Sequence, residues 1–397
     1  MSTEPAEPGA TESLATERLV TASDVPLLDH HCHGVTTADL DRAAFEAMIT
    51  ESDWDAPDGT THFDSQVGFA IRRHCAPVLG LPPFATPEEY LQRRRELGGA
   101  EASRRLLRAT GISDYVIETG HRGDEILDPE GMADAGAARA FEVVRLERIA
   151  EELVLDGCDA AAFRTAYERM LDERLQHAIG VKSIAAYRIG LDFAPERPDA
   201  DEVDTAVATW LERIAAGAPV RLDDPVIIRH LLWTAVDRAS AIQFHIGYGD
   251  ADVDLHRCSP LLLTQFLRLT RETGARVMLL HCYPFHREAG YLAQVFPHVY
   301  FDVGLAINYT GSRSEEVIAE TLELAPFHKI LFSTDAFGVA ELYHLGALLF
   351  RRGLEGALET FAERDGWPPA ERSRITELIA WRNARRAYRL DGAGASA

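Results

Sequence analysis

From Ile112 onward the chain alternates short apolar runs with helical stretches, and no other feature constrains its fold as much. ISDYVIETG comes first, and FEVVRLERI then runs into a helix. GVKSIAAYR, AIQFHIGYGD, ARVMLLHCYP, HVYFDVGLAI and KILFSTDAFG follow, with helical spacing between them. Strands alternating with helices imply a parallel sheet. Short unbroken apolar runs suit strands covered on both faces. LLDHHC, near the N-terminus, brings the candidates to eight. This predicts an α/β fold: a single (β/α)8 TIM barrel, with a doubly wound open sheet as the alternative.

Strand one is separated from strand two by about 75 residues, 36–110, far more than a βα unit needs. The stretch combines DLDRAAFEAMIT, a Pro- and Gly-punctuated segment, and PEEYLQRRRELGGAEASRRLLRAT. It reads as a helical insertion after strand one, with His62, Phe63 and Gln66 placed to reach the site as a lid. Residues 1–20 are rich in Pro, Glu, Ala, Ser and Thr and read as a disordered tail. Residues 21–390 form the barrel domain, and 391–397 a second tail.

The charge of -23 argues against nucleic acid and anionic membrane surfaces as partners. Five cysteines without a CxxC pair suit reduced thiols. There is no apolar run of membrane-spanning length and no signal-peptide pattern at the N-terminus, so a cytoplasmic location is expected. The sequence has no GxxxxGK[ST] phosphate loop.

The chemistry gathers at strand ends. In LLDHHCHG, strict alternation puts Asp29, His31 and His33 on one face and His30 and Cys32 on the other, packed outside the barrel. Two imidazoles two residues apart at a strand end can grip one metal ion. In a (β/α)8 barrel the active site lies at the C-terminal ends of the strands. There strand four carries Lys182, strand five ends in His245, strand six in His281 and strand eight in Asp335. Glu118, ending strand two, is a candidate partner for a metal-bound histidine. Arg188 follows strand four and either forks onto a substrate carboxylate or pairs within the barrel. Tyr248, Asp250 and Asp254, in the loop after strand five, are candidate substrate contacts. An acidic wall there suits an ammonium group. His286, His298, His328 and His344 read as structural or surface groups.

HxH followed by Lys, His, His and Asp in this order resembles the amidohydrolase superfamily. DHHCHG, GVKSIAAYRIGL, FHIGYGDADVDL, LLHCYPFHREAGYL and ILFSTDA are similar to its amidohydrolase-related (amidohydrolase 2) branch. That branch includes the amidohydrolase-like domain fused to glutamine synthetase-like proteins. Uronate isomerases and aromatic-acid decarboxylases are more distant relatives. The resemblance covers roughly residues 22–390. It implies His31, His33 and His245 as metal ligands, and Asp335 as ligand and proton acceptor. It implies His281 as a second-metal ligand or a general acid. Lys182 is a ligand only if carboxylated, because an ammonium has no lone pair; otherwise it is a cation beside the site. The implied cofactor is a divalent metal, zinc foremost and manganese or iron next, as one or two ions. The implied reaction is hydrolysis of a C–N bond in a small molecule, γ-glutamyl-type amides being attractive. A decarboxylase or a sugar-acid isomerase is the alternative. The class also allows a homo-oligomer.

Overall fold

The computed structural model describes residues 19–390, so the expected tails lie almost wholly outside the described residues. The chain is already tied down at Val20, whose N–H donates to Ser373 Oγ at 2.9 Å.

Seven parallel strands form one sheet in sequence order. They are β1 (Leu27–Cys32), β2 (Ile112–Glu118), β3 (Arg139–Arg145), β4 (Gly180–Ser183), β5 (Ala241–His245), β6 (Arg276–Leu280) and β7 (Val299–Phe301). The sheet curls until the 330–336 segment touches both its edges. Leu331 N–H donates to Phe301 O of β7 at 2.9 Å, and His30 N–H of β1 donates to Phe332 O at 3.1 Å. Eight regular strands were expected, and the eighth position holds this irregular segment instead. Its polar groups bond outside a ladder: the Ser333 side chain donates from Oγ to Asp302 at 2.6 Å, and the Thr334 backbone N–H donates to the Asp29 carboxylate at 2.9 Å. Asp335 then takes a left-handed backbone, φ 49°.

Apolar packing divides into two layers. Leu28, Val116, Val143, Met278, Leu280 and Leu331 meet in a small inner cluster with Tyr388. A much larger cluster fills the space between the sheet and the helices.

Strict alternation fails in β1. Leu28 belongs to the inner cluster and Leu27 to the outer one. His30, expected outside, is on the inner side: its Nε2 is 2.8 Å from Asp302 and its Nδ1 3.2 Å from the Tyr388 hydroxyl. The β1–β2 register slips between Asp29 and Cys32. That slip changes the parity, so His31 and His33 also face inward. Cys32 stays with the outer cluster.

The insertion is a fixed wall. Thr86 and Glu89 form a capping box at the start of helix Pro87–Leu97, with Pro87 in the first turn. This helix is pinned to the long helix Ala340–Asp365 through a fully buried carboxylate. Tyr90 donates to Glu341 at 2.7 Å, and Arg94 Nε lies 2.7 Å from the same oxygen. Phe45, on helix Arg42–Ala47, stacks on Phe63 at 5.6 Å and leans on Tyr90 at 6.0 Å. Phe63 is therefore core, and Gln66 accepts the Ser312 N–H at 3.0 Å. Among the described residues no helix is long and apolar enough to cross a membrane.

Candidate metal centre

Parallel strands deliver all their C-terminal ends to one side of the sheet, and the ligand-type residues gather there. Ligand atoms of His31, His281 and Asp335 lie within 4.8 Å of one another. His31 Nε2 is 3.0 Å from Asp335 Oδ1, and His281 Nε2 is 3.7 Å from Asp335 Oδ2. His33 Nε2 lies 3.9 Å from Asp335 Oδ1. The His245 ring stands 4.4 Å from the His281 ring. Lys182 Nζ is 3.0 Å from His31 Nε2.

The surroundings decide which ring nitrogens carry lone pairs. His281 Nδ1 is 2.9 Å from Ile246 O. A carbonyl only accepts, so Nδ1 carries the proton and Nε2 offers its lone pair toward Asp335. His33 Nδ1 is likewise held by Glu118, 3.2 Å from the carbonyl and 3.5 Å from the carboxylate. Burial pushes His31, His33, His245 and His281 below the ordinary imidazole value and keeps them neutral, as ligation requires. Buried His245 Nε2 and His31 Nδ1 have no hydrogen-bond partner among the described residues. Neutral imidazoles, one carboxylate and unpartnered buried nitrogens fit a divalent ion of the zinc, manganese or iron type.

Two of these ligand-type residues sit in left-handed backbone, His281 at φ 38° and Asp335 at φ 49°. Non-glycine residues hold such geometry only where neighbours enforce it. Asp302 does so for His281: its carboxylate accepts the His281 N–H at 2.9 Å and the Gly304 N–H at 2.8 Å, while bonding to His30.

Beneath these candidate ligands lies a second layer of charge. Burial acts to raise the Glu118 carboxyl, but Arg145, His33 and Lys182 outweigh it and hold it well below the usual range. Burial lowers the Lys182 ammonium, against the opposing pull of Glu118 and Asp335.

The centre opens into a cavity of about 810 Å³, lined by His33, Lys182, His245, His281 and Asp335. Arg188 and Asp250 also line it. Arg188 pairs with Glu151 at 3.2 Å. Asp254 does not reach the cavity; it is exposed and pairs with His256 at 3.4 Å. Tyr248 is packed behind the wall, 6.1 Å from the Tyr309 ring, with its hydroxyl buried. His62 lines the cavity, unlike Phe63 and Gln66.

Several lining residues were not read from the sequence. Arg145 ends β3, so the strand-end rule would have found it had the weak third strand been bounded. Glu51 lies in the insertion, where no periodicity marks it. Burial and a hydrogen bond to Asp250 raise its carboxyl to about 8. Tyr187 and Tyr309 complete this corner. Gly249 lets the Asp250 loop pass: a Cβ there would sit 2.0 Å from the Tyr187 hydroxyl and 3.0 Å from His245 Cε1.

The amidohydrolase family profile matches residues 82–390. The chain belongs to that family. Protein fluG of Emericella nidulans is 27% identical to this amidohydrolase over 285 residues, covering 64% of its chain and 33% of fluG. The match therefore spans about a third of that relative's length. A candidate metal-dependent hydrolase from Lactobacillus casei superposes with a TM-score of 0.78 at 30% identity, covering 93% of this amidohydrolase and 96% of that chain. A uronate isomerase from Bacillus halodurans superposes with a TM-score of 0.63 at 14% identity, over 92% and 94% of the two chains, and shares the fold.

Proposed function

We propose that this amidohydrolase is a metal-dependent hydrolase that cleaves the C–N bond of a small-molecule amide, γ-glutamyl-type amides being the first class to try. The observation that carries the reading is the convergence of His31, His281 and Asp335 within 4.8 Å at the C-terminal side of a curled parallel sheet. The likeness to the Lactobacillus casei protein supports it. In this reading the curled sheet and the 330–336 segment make up a (β/α)8 barrel, and the protein acts in the cytoplasm.

His31, His33, His245 and Asp335 would hold the ion, with His281 beside them. A divalent metal bound there, zinc first, supplies an acidified water and polarises the amide carbonyl. Asp335, facing three imidazoles, takes a proton from the attacking water and passes it to the departing nitrogen. The water oxygen ends on the acyl carbon, and the products are a carboxylic acid and an amine. His281, its Nδ1 fixed on Ile246 O, presents Nε2 to the same reacting region.

Decarboxylation or sugar-acid isomerisation on this scaffold would call for a cation free to receive a carboxylate. Each arginine that lines the cavity already holds an acidic partner, so Lys182, 3.0 Å from His31 Nε2, is the cation that this alternative would have to use. The test incubates metal-loaded protein with γ-glutamyl anilides and alkylamides in ¹⁸O-water. Release of the amine with ¹⁸O in the new carboxylate is expected. Carbon dioxide release, or no amine from any amide, would overturn the assignment.

A further inference from the structure

Charge is left unbalanced at one corner of the cavity. Arg42 holds Glu46, Arg122 holds Glu125, Arg145 holds Glu118, Arg188 holds Glu151 and Arg221 holds Asp252. Glu51 and Asp250 face each other instead. Glu51 comes from the insertion and Asp250 from the loop after β5, and their side chains are hydrogen-bonded. Among the described residues neither has a basic ion-pair partner.

Tyrosines surround this carboxyl pair. Tyr309 lines the cavity with Glu51, and its hydroxyl feels the charge of that carboxyl. Tyr187 packs at 4.2 Å on His245 and lines the cavity beside Asp250. The Tyr248 hydroxyl is buried with no hydrogen-bond partner, and Glu51 is the foremost charge acting on it. Two carboxyls in a tyrosine-walled corner, Glu51 half-buried and Asp250 open to the cavity, repel an anion. They match an ammonium, whose three N–H donors need three acceptors. Tyrosine ring faces add attraction for the same charge.

We propose that Glu51 and Asp250 form a receptor for a primary ammonium group on the substrate, with the Tyr309 hydroxyl oxygen, which lines the same cavity, as third acceptor. The substrate class is then a cationic or zwitterionic amide, its charged amine held at this corner while its amide reaches Asp335. For the reaction this rests on the hydrolase reading; for the binding it does not.

The experiment is a calorimetric titration of the full chain with n-butylammonium and, separately, with butan-1-ol of similar length. It compares wild type, Glu51→Gln and Asp250→Asn. Butylammonium should bind the wild type and lose about tenfold or more in affinity in each variant, because each loses a charged hydrogen bond. Butan-1-ol should bind all three proteins equally and more weakly. The melting temperature of Glu51→Gln should equal or exceed that of wild type, since a neutral amide replaces a carboxyl that has no basic partner among the described residues. If a carboxyl variant fails to fold, Tyr309→Phe keeps the ring and should still weaken butylammonium. Equal butylammonium affinity in all proteins, or butan-1-ol binding as tightly as butylammonium, would overturn the receptor. Butylammonium binding as expected without any amide cleavage would leave the receptor standing and remove the hydrolase reading. Cleavage of neutral and cationic amides alike, without butylammonium binding, would do the reverse.

Discussion

His31 and Asp335 are joined twice across the closure of the sheet. The Asp335 N–H donates to His31 O at 3.0 Å, and the Asp335 carboxylate lies 3.0 Å from His31 Nε2. The same residue that continues the backbone contact between the eighth segment and β1 thereby aims its carboxylate at the imidazoles. Replacing it by alanine removes the carboxylate and leaves the backbone bond in place. Asp335→Ala should lower kcat by roughly 10³-fold, within the range of a lost general base. Its circular dichroism should match wild type. Turnover within tenfold of wild type would refute the assignment.

Glu118 and Arg145 back the candidate metal site from one layer out. Glu118 accepts from Arg145 at 2.5 Å and faces His33 Nδ1 at 3.5 Å. Glu118→Gln should weaken metal affinity by roughly 10- to 100-fold, the usual cost of losing a partner behind a ligating histidine. Competition with a chromogenic chelator measures this.

The same carboxylate gives a pH dependence. Its folded value is depressed by Arg145, His33 and Lys182, which outweigh the opposing effect of burial. Its contribution to stability is thus complete above the unfolded value of about 4.3 and is lost as pH falls below it toward the folded value. Denaturant midpoints between neutral pH and pH 3 should drop more steeply for wild type than for Glu118→Gln. Parallel curves would contradict the assignment.

Lys182 separates a one-metal from a two-metal centre. Its Nζ lies 3.0 Å from His31 Nε2 as an ordinary amine. One equivalent of metal per chain is expected by elemental analysis, both in wild type and in Lys182→Ala. Two equivalents in wild type, falling to one in the variant, would instead establish a carboxylated, bridging lysine.

The wall of the cavity depends on a buried ion pair remote from the chemistry. Glu341 receives Tyr90 and Arg94 at 2.7 Å. Glu341→Leu leaves the Arg94 guanidinium buried without its partner, so a loss of roughly 3 kcal/mol or more is expected from equilibrium unfolding. Because Arg94 also lies over the Phe45 ring at 5.1 Å, KM should rise in the folded variant. An unchanged unfolding midpoint would show that this pair is not the anchor.

The sequence by itself determined the parallel α/β architecture, because an apolar run covered on both faces leaves the same trace wherever it occurs. It also placed Lys182, His245 and His281 at strand ends, since the C-terminal side of a parallel sheet can be read in one dimension, and it put Asp335 at the same level although the eighth segment is irregular. Only the tertiary structure decided the parity of β1. A register slip between Asp29 and Cys32 brings His30 inward alongside His31, and such a slip leaves no mark in the order of residues. Only the tertiary structure separated Asp250 from Asp254, four residues apart in one loop yet facing cavity and solvent. It alone brought Glu51 to Asp250, because that meeting depends on how the insertion packs through Phe45, Tyr90 and Glu341. Local periodicity follows from backbone geometry and is written along the chain, whereas contacts across about 200 residues follow from packing and appear only once the chain has folded.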